Sequence, residues 1–83
     1  MPQLEVIAYS LLVIEPGSLP AVLEALRAEP DVVEAHDVMG AYDVVVKVRA
    51  ATLQHLHDLV FTRLRGIDGI RSTTTLITQS TPD

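Results

Sequence analysis

The sequence predicts a single α+β domain of β-α-β-β-α-β order over residues 1–83. Three observations predict it. Four stretches dense in apolar and β-branched residues are separated by two stretches whose apolar residues recur at helical spacing. The two helical stripes, Leu19, Val22 and Leu26 in one half and Leu53, Leu56 and Val60 in the other, correspond at a constant offset. Between the halves, Gly40-Ala41 is a link short enough to force a hairpin.

Glu5–Ile14 reads as the first strand, and Glu15-Pro16-Gly17-Ser18 as the turn that ends it. Ser18 stands where a helix N-cap belongs, with Pro20 tolerated in the first turn. Leu19, Val22, Leu23 and Leu26 then follow i, i+3, i+4, i+7, while Glu24, Arg27 and Glu29 decorate the wet side until Pro30 stops the helix. Val32–Met39 and Tyr42–Arg49 are the second and third strands, antiparallel across Gly40-Ala41. Thr52 caps a second helix carrying Leu53, Leu56, Val60 and Leu64. Gly66 suits its C-terminus and Gly69 a turn. Ile70–Thr78 is the last strand, with Gln79–Asp83 expected to fray. Two β-α-β units joined by a hairpin give the ferredoxin-like sandwich: an antiparallel four-stranded sheet with both helices on one face.

Composition narrows the function. A domain of 83 residues buries only about 60–65% of its unfolded surface and needs further stabilisation. Cysteine is absent, which removes disulfides, thiolate metal sites and thiol catalysis and leaves association as the stabiliser. The net charge is −5 with six Lys and Arg, and the aromatics are only Tyr9, Tyr42 and Phe61, which argues against direct nucleic-acid binding. No apolar run approaches the roughly 20 residues of a membrane span, and no basic segment precedes an apolar stretch at the N-terminus. A soluble cytoplasmic protein is expected.

The strands add a stronger constraint. Tyr42, Val44, Val46 and Val48 share the parity that faces the helices; Asp43, Val45, Lys47 and Arg49 share the other. The first strand is apolar on both sides: Ile7, Tyr9, Leu11 and Val13 on one parity, Val6, Ala8, Leu12 and Ile14 on the other. A sheet with one wet face should alternate. The second apolar face therefore predicts self-association, since each such side chain contributes roughly 1.5–3 kcal/mol when buried.

Val38-Met39-Gly40-Ala41-Tyr42-Asp43-Val44-Val45-Val46-Lys47-Val48 resembles a recurrent stretch of the Lrp/AsnC family of amino-acid-responsive regulators: Gly, a variable residue, an aromatic, Asp, then an apolar strand containing Lys. Ile67-Asp68-Gly69-Ile70-Arg71-Ser72-Thr73-Thr74-Thr75-Leu76-Ile77 is similar to that family's Gly-Val turn and the strand after it, with Thr73 and Thr75 spaced by one residue. The order of elements agrees from about Leu4 to Gln79. The resemblance implies a stand-alone effector-binding (RAM) domain without the helix-turn-helix half. It implies sheet-to-sheet dimers, rings of dimers, possible association with full-length regulators, and a small amino-acid effector in a cleft between dimers.

Gly40, Ala41, Tyr42 and Asp43 are the first candidate site. An amino acid needs a counter-charge for its ammonium, which Asp43 supplies, and donors for its carboxylate, which backbone N–H groups near Gly40 and Ala41 supply, with Tyr42 as a wall. The same residues also fit a plain hairpin with an Asp bonded to backbone. Thr73 and Thr75 are favoured by the resemblance as polar pocket residues, although Thr also simply suits strands. His55 and His57 lie two apart on a helix, about 200° around its axis, and His36 stands alone on a strand, so no metal site is expected. No cofactor loop or catalytic signature is present, and the domain is expected to be no enzyme. The alternative is a small ferredoxin-like dimeric α/β-barrel enzyme of monooxygenase or isomerase type, with Tyr9, His36 or Asp37 carrying the chemistry in a hydrophobic pocket inside each subunit. A third possibility is an assembly module with no pocket at all.

Overall fold

A computed structural model describes residues 5–78. Its elements are β1 (Val6–Ile14), α1 (Leu19–Arg27), β2 (Val32–Asp37), β3 (Val44–Ala50), α2 (Leu53–Asp58), a π-helical segment that continues α2 (Leu59–Leu64), and β4 (Ile70–Ile77). They form one four-stranded sheet of order β2-β3-β1-β4 with all neighbours antiparallel. This is the ferredoxin-like arrangement read from the sequence. The frayed end expected at Gln79–Asp83 lies outside the described residues.

Strand parity decides the core. Ala8, Ser10, Leu12 and Ile14 of β1, Ala35 of β2, and Val44, Val46, Val48 and Ala50 of β3 are buried on the helix side. Val22 and Leu26 of α1 and Leu56, Leu59, Val60 and Leu64 of the second helix close over them. Ser10 is the one buried polar residue among those described; its hydroxyl shares a 3.0 Å hydrogen bond with that of Thr75 on β4. The other side of β1 is as apolar as the pattern required, with Ile7, Leu11 and Val13 half-buried and Tyr9 exposed, and no element covers it among the described residues.

Four expectations need correction. The middle link is longer than Gly40-Ala41: β2 stops at Asp37 and β3 starts at Val44. Asp43 is the cause, because its N–H already donates to Leu12 O of β1 at 2.8 Å and its own carbonyl accepts from Val38 N–H at 2.9 Å. Tyr42, expected inside β3, therefore lies in the link and is half-buried. Ser18 occupies the N-cap position of α1 but its side chain makes no capping bond, since its own backbone is helical (φ −95°, ψ −5°). Leu53 is 62% exposed, while Leu59, off the expected stripe, is fully buried. Leu59 lies three residues after Leu56 and shares its face, and the i→i+5 spacing of the π-helical turn keeps Leu64 on that face as well.

Two local features hold the helices to the sheet. Thr52 caps α2 as expected, its hydroxyl accepting the His55 N–H at 3.0 Å. Gly69, at φ +102°, sits against α1 so closely that a Cβ there would meet Ser18 Cβ at 2.7 Å and Val22 Cγ2 at 2.9 Å. Only glycine satisfies both the backbone angle and the approach.

Candidate functional site

The β2–β3 link projects from one end of the sheet. Met39 at its tip is fully exposed, and Gly40 adopts φ +136° with open space where a side chain would stand. Ala41 is exposed beside it. The backbone of Gly40 and Ala41 is thus reachable by a ligand without displacing any side chain. Asp43 anchors the link: its Oδ2 accepts the Ile14 N–H at 2.8 Å. That bond stands where a ladder bond between β1 and β3 would otherwise fall, and it fixes the carboxylate at the root of the hairpin. Oδ1 makes no hydrogen bond among the described residues.

Thr73 and Thr75 are elsewhere. They sit on the helix-facing side of β4, paired with Leu12 and Ser10 of β1. Leu12 in turn pairs with Val44, the residue after Asp43. Two strand spacings, about 10 Å, separate β3 from β4, and fully buried Leu12 fills the interval on the helix side. The six candidate residues therefore form two groups within one subunit: the hairpin, and a groove of about 280 Å³ that Thr73 and Thr75 line together with Leu56, Val60, Phe61 and Ile77. The aliphatic members of that groove were read from sequence only as core. Phe61, outside the helical stripe, was the available signal.

The residues named for enzymatic chemistry do not converge on that groove. Tyr9 lies on the uncovered side of β1, opposite Lys47 and Leu76. His36 is bonded through Nε2 to Glu34 Oε1 at 3.0 Å on exposed β2, and Asp37 is exposed at the end of the same strand. Among the described residues no group of three or more His, Asp or Glu side chains is placed to hold a metal ion.

One polar cluster went unseen in the sequence. Arg63, in the π-helical segment, donates to Asp31 Oδ2 at 3.2 Å and to Glu29 Oε1. His55 Nδ1 accepts the Ala51 N–H at 3.3 Å, so Nε2 carries the proton and donates to the same Asp31 oxygen at 3.0 Å. The Glu29 hydrogen bond, reinforced by the charges of Glu29 and Asp31, pushes the Arg63 guanidinium above its usual range. The cluster ties the α1–β2 turn to the second helix. It is a clamp between the two halves.

Comparison with known proteins supplies the family. Residues 7–83 match the Lrp/AsnC ligand binding domain. An HTH-type transcriptional regulator of Pyrococcus abyssi, PYRAB01370, is 36% identical over 76 residues, covering 92% of this chain and 48% of that protein. The chain spans about half the length of the curated relatives it matches. The crystal structure of FFRP-DM1 superposes with a TM-score of 0.86 at 38% identity, covering 89% of this chain and 99% of that one. A transcriptional regulator of Neisseria meningitidis, NMB0573, solved as an L-Met complex, shares the fold at a TM-score of 0.85 and 13% identity, over 90% of this chain and 50% of that one.

Proposed function

This chain belongs to the Lrp/AsnC ligand-binding domain family, and from that premise we propose that it is an oligomeric sensor of a small amino acid that regulates amino-acid metabolism or transcription. In this reading the chain binds and does not catalyse, in line with relatives that are transcriptional regulators. The observation that carries the reading is the coincidence of the family match with an open hairpin that holds the Asp43 carboxylate at its root.

The chemistry follows from the residues. Asp43 Oδ1 meets the effector's ammonium, and the N–H groups of Gly40 and Ala41 receive its carboxylate. Tyr42 stands between them as a wall. A hairpin exposed on all sides cannot desolvate a zwitterion, so a second copy closes the pocket. Ile7, Leu11 and Val13 supply the self-complementary surface for dimers, and the protruding tip at Met39 the contact between dimers in a ring. Mixed assembly with full-length regulators would carry the signal to DNA, which places the domain in the cytoplasm. Thr73 and Thr75, on the far side of Leu12, are assigned to a separate groove.

A thermal-shift panel of the twenty amino acids tests the sensing function. At a hundred times its dissociation constant an effector adds about 2.7 kcal/mol of stability. One amino acid, or a small chemical group of them, should raise the melting point, and Asp43→Asn should abolish the shift. A panel with no response would overturn the sensing role.

A further inference from the structure

The three most exposed large apolar side chains outside the sheet face and the hairpin, Leu53 (62%), Phe61 (52%) and Ile77 (50%), gather around one concavity. Its cause is a mismatch of layers. Leu56, Val60 and Leu64 are buried in the core, and α2 packs on β3, so the helix layer covers edge strand β4 incompletely. The helix-facing side of β4 presents Thr73, Thr75 and Ile77. The groove so formed has apolar walls, a cavity volume of about 280 Å³, and hydroxyls on its floor. Thr75 is satisfied by Ser10, whereas the Thr73 hydroxyl makes no hydrogen bond among the described residues.

The charge around the mouth is one-sided. Phe61 carries His57 against its ring at 4.6 Å between centroids and the Arg65 guanidinium 5.7 Å from its centroid. No carboxylate lines the groove. Asp58 touches His57 only from outside, at 4.0 Å, where Gln54 also engages it at 3.4 Å. A groove of about 280 Å³ has room for a small organic molecule.

We propose that the groove between the second helix and β4 is a second binding site, selective for small monocarboxylates that have a branched-aliphatic or aromatic body and no α-ammonium, such as 2-oxo acids. The body lies against Leu56, Val60 and Phe61; the carboxylate faces His57, with the Arg65 guanidinium beside the Phe61 ring adding positive charge from outside the groove; the Thr73 hydroxyl donates to the ligand's second oxygen. An ammonium in the same place would be stripped of water with no anion to meet it, which excludes the corresponding amino acid. The site lies within one subunit and stands independently of the hairpin reading.

Methyl-labelled NMR tests this in the assembled protein, with 4-methyl-2-oxopentanoate as the probe and leucine and 4-methylpentanamide as comparisons. The oxo acid should shift the methyl resonances of Leu53, Leu56, Val60, Thr73, Thr75 and Ile77. Leucine and the amide should leave them in place. Thr73→Val should weaken oxo-acid binding about tenfold, an effect of ~1.4 kcal/mol, and Phe61→Ala, at a half-exposed position, should weaken it further with the fold retained. Unmoved groove methyls at millimolar oxo acid, equal response to leucine, or shifts confined to residues 38–43 would each overturn the proposal.

Discussion

The Asp43 carboxylate holds the Ile14 backbone N–H at 2.8 Å, so one side chain both ends the β1–β3 ladder and roots the exposed hairpin. Asp43→Ala leaves that strand N–H unpaired and should cost about 1.5–3 kcal/mol in a urea melt, the range for a hydrogen bond to a charged group. Asp43→Asn keeps an acceptor oxygen and should lose well under half of that. The Asn variant thus separates the two duties of the residue, because it retains the fold and removes the charge that an effector's ammonium requires.

Gly69 and Ser18 are in contact across the α1–β4 junction. Gly69→Ala places a methyl 2.7 Å from Ser18 Cβ at a backbone angle of φ +102°. Overpacking and left-handed strain together should cost about 2–4 kcal/mol. Combining it with Ser18→Gly should recover only the part of the overpacking that Ser18 causes, because Val22 Cγ2 still lies 2.9 Å from the new methyl, and a double-mutant cycle by denaturant unfolding measures that coupling. Gly40→Ala is the contrast: with nothing within 4 Å of the new methyl, only the angle is penalised.

Leu11 lies on the uncovered side of the sheet, facing Val45 on β3 and Thr74 on β4. Leu11→Arg touches no helix-side core position and should leave the monomer folded by circular dichroism. Each copy loses about 1.5–3 kcal/mol of apolar burial in a face-to-face dimer, which raises the dissociation constant about a hundredfold or more. Sedimentation at micromolar concentration should show the parent above 9.0 kDa and the variant moving toward it.

Glu34 and His36 form an exposed ion pair on β2, and the His36 hydrogen bond, with some help from the charges of His36 and Lys47, holds the Glu34 carboxyl below the ordinary range against a small opposing desolvation. A carboxyl with a depressed folded-state pKa favours folding above its unfolded value, and that contribution fades as pH falls through the folded one. With both side chains exposed to solvent the effect on stability is slight, so the readout is the titration itself. Carbon-detected NMR should place the Glu34 midpoint below that of a free glutamate, and His36→Ala should move it up.

Much of the fold was legible because periodicity reports burial. Val44, Val46 and Val48 of β3 were sorted correctly by parity, and the double-sided apolar character of β1 was readable, although the pattern did not say which of its faces the helices cover. Most of the misses share a cause. Leu53 satisfies a helical stripe, yet it lies beyond the reach of the sheet, because α2 is placed by Leu56, Val60 and Leu64 rather than by its first residue. Leu59, three residues after Leu56, was readable as core and was passed over, whereas the change to π spacing after it depends on tertiary packing. The hairpin looked tight because Gly40-Ala41 is a turn dipeptide, whereas its length is set by Asp43 bonding to β1, a strand almost thirty residues away. For the site, the residue types in Gly40–Asp43 were readable, and so was the presence of hydroxyls at Thr73 and Thr75 on the last strand. Their separation by Leu12 was not, since strand order is a property of the sheet and not of the segment. The Glu29–Arg63–Asp31–His55 clamp was hidden for the same reason.

Among the described residues the sheet has two unpaired margins of opposite character. On β2, a register shift between Val32 and Glu34 bends the margin, and Glu34, His36 and Asp37 put ionisable groups along it. Such a margin repels an incoming strand. On β4, eight residues run with Arg71 as their only charge. Lateral growth of this sheet, whether by a neighbouring copy in an ordered assembly or by a misfolded one in a crowded cell, therefore has a preferred side, and a lysine introduced at Thr74 is the smallest change that would close it.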